Sequence, residues 1–184
     1  MLKRHFLKSL SACVAGLATA PTAFAAVHAP TQHAIQPVSW PLWASRAGEQ
    51  FYFDAATPEG YRVAQHLLRD VRARRVGYPH PELLRLLAQT QHWWANMGHH
   101  VRFDITSGLR TPATNNAIEG AARASLHLPN AQGVFFAADF RPGRVDVRTA
   151  AQWLRAAGAG GLGLYADRGF VHADVGRARA WVRR

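Results

Sequence analysis

Cysteine, lysine and long apolar runs are what this chain is short of. Its single Cys, Cys13, rules out an intrachain disulfide framework and a metal site built from several cysteines. Its only lysines are Lys3 and Lys8, so almost all of its positive charge is arginine. Acidic residues are few as well, 11 against 22 basic ones. No apolar stretch reaches the roughly 18 residues that a membrane-spanning helix needs. No segment repeats at a period of about 20 to 50 residues, which excludes solenoids and propellers.

What the N-terminus does have is an export signal. Lys3, Arg4 and Lys8 form a basic start, Leu10 to Ala20 a short apolar core, and Ala23-Phe24-Ala25 a cleavage site, so cleavage is expected after Ala25. The segment KRHFLK also resembles a twin-arginine motif, which leaves that route open beside ordinary secretion. LSAC (Leu10 to Cys13) is similar to a lipoprotein box, but Lys8 interrupts the apolar run before it. No membrane anchor is therefore expected, and the compartment is periplasmic. Removing residues 1–25 leaves 159 residues, the size of one domain. It also removes the cysteine and both lysines, leaving 19 arginines against 11 acidic residues. In an exported protein, attraction to an anionic cell wall explains that excess better than nucleic acid does. A codon bias toward arginine explains it equally well. Residues 26–38 read as a spacer, on which His28 and His33 are set aside as metal candidates. Residues 39–184 form the domain, expected to be a monomer.

Within that domain, Ser39 to Trp43 and Gln50 to Asp54 read as a hairpin. Thr57-Pro58 starts a helix with Tyr61, Ala64, Leu67, Leu68 and Val71 on its buried stripe. A second helix runs from Pro81 to Met97, stopped by Gly98, with Leu83, Leu84, Leu87 and Trp94 apolar. Trp93-Trp94 reads first as core packing and second as a platform for sugar rings. His99 and His100 are adjacent and cannot share a helix face. His100 to Ser107 alternates as a half-buried strand, and Thr111-Pro112 starts a short helix. Gly133 to Phe140 is a strand, Val147 to Ala157 a helix, and Leu162 to Ala166 with Phe170 to Asp174 a hairpin. The tail from Gly176 is expected to pack Trp181 and leave its arginines in solvent.

Three side chains of this stretch suit zinc: His127, Asp139 and His172. A catalytic zinc takes three such protein ligands and keeps a fourth position open. A bound metal lowers the pKa of water from about 15.7 to roughly 7 and polarises carbonyls, which suits amide hydrolysis. Spacing does not identify the site, since the three lie 12 and 33 positions apart. Strand period helps more: Phe170, His172 and Asp174 share one face, and Phe135, Ala137 and Asp139 another. Read singly, His127 is a loop histidine, Asp139 a strand cap, and Arg110 and Asp174 ordinary charges.

At these residues the sequence resembles the zinc D-Ala-D-Ala metallopeptidases, most closely their exported murein endopeptidase branch. That family carries, in order, Ser-Gly-Tyr-Arg-Ser/Thr-Pro-x-x-Asn, Ser-x-His leading to Ala-x-Asp, Gly-Val-Gly-Tyr-Tyr, and Phe-Val-His-Val-Asp-Thr-Gly. Here they stand as SGLRTPATN (Ser107 to Asn115), SLH with AAD, GLGLYA (Gly161 to Ala166) and FVHADVG (Phe170 to Gly176). The likeness covers roughly Ser39 to Trp181. It implies an α+β fold of the Hedgehog/D-Ala-D-Ala-peptidase type, a small antiparallel sheet flanked by helices. It implies zinc held by His127, Asp139 and His172, with Arg110 holding substrate or a developing oxyanion. Asp174 becomes the general base, or else a carboxylate orienting a zinc histidine.

Four positions depart from the family pattern. Asp139 follows His127 by 12 positions where the family has seven. Leu109 replaces a Tyr, Val175 a Thr, and Gly169 the Glu found in carboxypeptidase relatives. The expected function is zinc-dependent hydrolysis of amide bonds in peptidoglycan stem peptides or cross-links. The alternative is a cell-wall-binding module of the same fold that has lost catalysis.

Overall fold

Nine strands and four helices alternate along the chain in a computed structural model that describes residues 38–183. The export signal and nearly all of the spacer lie outside the described residues. The strands are β1 (Pro41–Arg46), β2 (Glu49–Asp54), β3 (Tyr78–Pro79), β4 (Phe103–Ser107), β5 (Val134–Phe135), β6 (Ala137–Arg141), β7 (Gly161–Tyr165), β8 (Phe170–Asp174) and β9 (Arg179–Arg183). The helices are α1 (Pro58–Leu67), α2 (Pro81–Asn96), α3 (Pro112–Asn116) and α4 (Val147–Ala156). Seven strands form one sheet in the order β2-β1-β4-β6-β8-β7-β9, and β3 pairs with β5 separately.

The α+β class holds, but the sheet is neither small nor purely antiparallel. Strands β1 and β4 run parallel, as do β7 and β9. The chain between β1 and β4 crosses over through α1 and α2, and a crossover connection returns a strand in the same direction. The tail after Gly176, expected to pack Trp181 and leave its arginines in solvent, forms the edge strand β9.

Period-2 alternation sorts the central strands into two faces. Ala138 and Phe140 of β6, Leu162 and Leu164 of β7, and Val171 and Ala173 of β8 enter the hydrophobic core. Helices α1 and α2 pack on the β2–β1 end, and α4 packs on β7 and β8. Trp94 meets Phe103 edge-on at 5.5 Å, so the Trp93-Trp94 pair follows its core reading. A fully buried Leu or Phe contributes roughly 1.5–3 kcal/mol, and eight of the twelve largest fully buried side chains are leucines. The caps are local: Thr57 Oγ1 accepts from Gly60 N at 3.0 Å, and Asp146 accepts from Arg148 N and Thr149 N. Helix α1 ends at Leu67, earlier than the apolar stripe suggests, and leaves Val71 exposed.

The long connection between His127 and Asp139 folds onto itself. Asn130 Oδ1 accepts from Gln132 N at 3.0 Å and Val134 N at 2.9 Å, closing a tight loop. The expected single strand from Gly133 to Phe140 splits in two there. Strand β5 pairs with β3, and Phe136 N then bonds back to Leu126 O at 2.9 Å. The extra residues are thus spent on a side sheet, and the chain re-enters the main sheet beside the residue preceding His127.

A second tie fixes the segment that carries Arg110. Asp70 is buried; its Oδ2 accepts from Thr111 N at 2.8 Å and its Oδ1 from Ala73 N at 3.1 Å. Burial alone would raise its pKa, but these bonds outweigh it and hold the carboxyl below the usual range. A depressed folded-state pKa stabilises the fold above the unfolded value near 3.9, and that contribution disappears as pH falls through the folded value. Asp70→Asn turns an amide N–H₂ toward an N–H donor, and should cost about 1–3 kcal/mol at pH 7. In urea denaturation the gap between wild type and variant should be full at pH 7 and shrink below pH 4; a pH-independent gap refutes the charge role.

Candidate metal centre

Strands β6 and β8 pair with Asp139 opposite His172. Directly opposed side chains on one sheet face lie close enough for their ends to meet, and His172 Nδ1 is 2.8 Å from Asp139 Oδ1. His127 arrives from the loop after α3 and is locked by backbone. Its carbonyl accepts from Arg110 N at 2.9 Å, and its Nδ1 lies 2.6 Å from Gly108 O. A carbonyl only accepts, so Nδ1 carries the hydrogen and Nε2 presents a lone pair. His127 Nε2 sits 3.1 Å from Asp139 Oδ1 and 3.2 Å from His172 Nδ1. His172 Nε2 is turned outward to Asp174 Oδ2 at 2.7 Å. Both imidazoles thus spend their outer nitrogen on a hydrogen bond and turn the inner one toward Asp139.

These three inner atoms can hold one metal ion. Ligands around tetrahedral zinc at 2.0–2.2 Å stand about 3.3 Å from one another, close to the separations here. The outward bonds from His127 to a carbonyl and from His172 to a carboxylate are the ones that orient metal-bound histidines and fix their tautomers.

The electrostatics follow from burial against pairing. Burial, the largest influence on His127, pushes its imidazole below the ordinary histidine value despite Asp139. Burial would raise the Asp139 carboxyl, but its contacts with His127 and His172 prevail and hold it well below the usual carboxylate range. Burial also opposes a charged His172, yet bonds to Asp139 and Asp174 outweigh it and raise its pKa. Arg110 Nη2 bonds Asp139 Oδ2, and Arg110 Nε bonds Ser107 Oγ at 2.8 Å. Asp139 therefore has one oxygen held by a guanidinium and the other turned to the two imidazoles. Asp174 has no exposed surface. Its two oxygens accept from Gly161 N, Gly176 N, Arg179 and His172. Burial favours its neutral form, but those donors hold its pKa at about 2.

The sequence model of the family described as Peptidase M15 matches residues 61–174, which include all five of these residues. The chain belongs to the Peptidase M15 family. It is 30% identical over 186 residues to the peptidoglycan L,D-endopeptidase MepK of Escherichia coli K12, covering 97% of this chain and 96% of that protein. The Shigella flexneri protein of the same name matches to the same extent. The probable peptidoglycan L,D-endopeptidase MepK of Haemophilus influenzae is 28% identical over 143 residues, covering 73% of this chain and 71% of its own. No solved structure gives a significant match.

Two residues near the centre of this M15 chain were not read as part of it from the sequence: Arg179, expected in solvent, and Trp181, expected only to pack. On the face of β7 that looks toward the centre stand Gly161, Gly163 and Tyr165. Gly161 pairs with Asp174 on one side and Arg179 on the other; Gly163 pairs with His172 and Trp181. With no side chains on the two glycines, β9 reaches across β7 to β8. Arg179 Nη2 meets Asp174 Oδ2 at 2.6 Å, and the Trp181 ring lies 5.1 Å from that of His172. Trp181 Nε1 donates to the Tyr165 hydroxyl at 3.1 Å. The clue in the sequence was the pairing of G-x-G with R-x-W at the same period of two, legible only once the two strands are known to be parallel neighbours.

A Cβ on Gly163 would lie 2.6 Å from the Trp181 ring, closer than packing allows. Gly163→Ala should therefore push Trp181 off His172, destabilise the domain by about 1–3 kcal/mol and weaken metal binding by roughly tenfold. Thermal unfolding and a zinc titration measure the two effects. Unchanged values in both would show that the trough over β7 does not support the centre.

Proposed function

We propose that this protein is a zinc-dependent peptidoglycan hydrolase that cuts amide bonds in stem peptides or their cross-links. Residues 39–184 would be its catalytic domain, carried to the periplasm by the signal in residues 1–25 and set off by a spacer over residues 26–38. Membership of the Peptidase M15 family and the names of the MepK relatives support the reaction class. Among the described residues no helix is long and apolar enough to cross a membrane. The observation that carries the proposal is the convergence of His127 Nε2, His172 Nδ1 and Asp139 Oδ1 with both imidazoles hydrogen-bonded outward.

His127, Asp139 and His172 would hold the ion. Zinc bound there supplies Lewis acidity, polarising the scissile carbonyl and making water a nucleophile near neutral pH. The protein's own groups do the orienting. Gly108 O and Asp174 fix which nitrogen of each imidazole faces inward, and Arg110 with Ser107 fixes the Asp139 carboxylate. Arg110 lines a cleft of about 970 Å³ that also reaches Asp139, so its remaining N–H groups are positioned for a substrate carbonyl oxygen as charge develops on it. Of the two roles the sequence left to Asp174, we favour orientation of His172. A carboxylate with no exposed surface, five donors around it and a pKa near 2 is a poor acceptor for a substrate proton. The intact donor set also argues against a module that has lost its catalysis.

Purified protein should bind about one zinc per chain and release soluble muropeptides from isolated sacculi, and His172→Ala should end both. Asp174→Asn separates the roles of that residue. As an orienting group its loss should weaken zinc binding by about 10- to 100-fold and leave activity partly restored by excess zinc. Unaltered zinc affinity with activity gone would instead make Asp174 a proton carrier.

A further inference from the structure

The cleft beside the metal centre carries a cationic wall that the triad does not use. Tyr165 at the end of β7 pairs with Phe170 at the start of β8, and their rings stack at 4.2 Å with 13° between planes. Arg168, in the turn joining the two strands, lies against this pair, its Cζ 5.1 Å from the Phe170 centroid and 5.9 Å from that of Tyr165. Arg183 of β9 stands opposite Tyr165 in register. All four residues line the cleft. Among the described residues neither arginine lies within ion-pair distance of a carboxylate. Arg110, by contrast, is bound to Asp139. An arginine held against aromatic rings keeps its charge and is more restricted than a free surface side chain, so it meets an anion at lower entropic cost.

The position relative to the centre is set by the strand. Phe170 precedes His172 by two residues on the same face of β8, a distance of about 7 Å. An extended peptide advances about 3.3 Å per residue. A group resting on the Arg168 guanidinium beside the Phe170 ring is therefore roughly two to three residues from a bond held at the triad. The carboxylates of the cleft lining do not cancel this wall: Asp70 is turned to backbone N–H groups and Asp139 to Arg110, which leaves exposed Glu119.

We propose that Arg168, held against the Phe170–Tyr165 pair with Arg183 across from Tyr165, forms an anion subsite for a free carboxylate of the substrate peptide, two to three residues from the scissile amide. The proposal rests on the peptidase reading and adds to it a substrate preference. Peptides with an acidic residue at that distance are favoured, and the same peptides with that carboxylate converted to a carboxamide are disfavoured.

The test uses two stem peptides that differ only in carboxylate against carboxamide at that position, with the full mature protein loaded with zinc. Wild type should cleave the carboxylate form with about tenfold higher kcat/KM, as a charge-assisted contact allows, and the advantage should decline as salt is added. Arg168→Gln should erase the preference through KM while turnover of the carboxamide peptide stays at the wild-type level. Arg168→Lys should restore it only in part, because an ammonium is a point charge without the guanidinium's fork of donors. Equal cleavage of both peptides by wild type, or a preference that survives Arg168→Gln, overturns the subsite. Cleavage of neither peptide by wild type overturns the peptidase reading instead. If Arg168→Gln lost turnover of both peptides, Arg183→Gln on the same pair would decide: a reduced preference supports the subsite and an unchanged one overturns it.

Discussion

Two imidazole lone pairs and one carboxylate oxygen face one another in a buried space, and the rest of the domain is arranged to keep them there. Burial withholds water from each of these groups, so each must find its partners inside the protein. They are held in place because the outward atom of each is already engaged. His127 is fixed by Gly108 O, His172 by Asp174, and the second oxygen of Asp139 by Arg110. A divalent ion is the simplest partner for three donors so confined.

The sheet performs this with little more than its pleat. One face of β6, β7 and β8 is Ala, Leu, Val and Phe packed under the helices; the other carries Asp139, His172 and Asp174. Because neighbouring residues point to opposite faces, the same strands can supply core burial and polar chemistry without conflict. The polar face would be costly without partners. Opposite charges are accordingly paired on it, Arg110 with Asp139 and Arg179 with Asp174, and His172 is hydrogen-bonded between the two carboxylates.

The long segment between His127 and Asp139 shows how a local departure from a family pattern can leave a site intact. Its residues close around Asn130 and pair with β3, so the added length is taken up away from the centre. What the site requires is the position of two ends, not the number of residues joining them, and lengthening a loop costs only slowly with its size.

Much of this was present in the sequence because it is local. The caps Thr57 and Thr111, the apolar stripe of α2, and the shared face of Phe170, His172 and Asp174 each depend on residues a few positions apart. The motif likeness pointed to the five polar residues at the centre. Tertiary structure alone decided the mixed sheet, the edge strand β9, and the reach of Arg179 and Trp181 across Gly161 and Gly163. It also decided that Asp174 is sealed from the cleft. These depend on which strands become neighbours and on which side, and strand pairing is fixed by the whole core folding at once. A period of two says which side chains share a face; it does not say what lies opposite them.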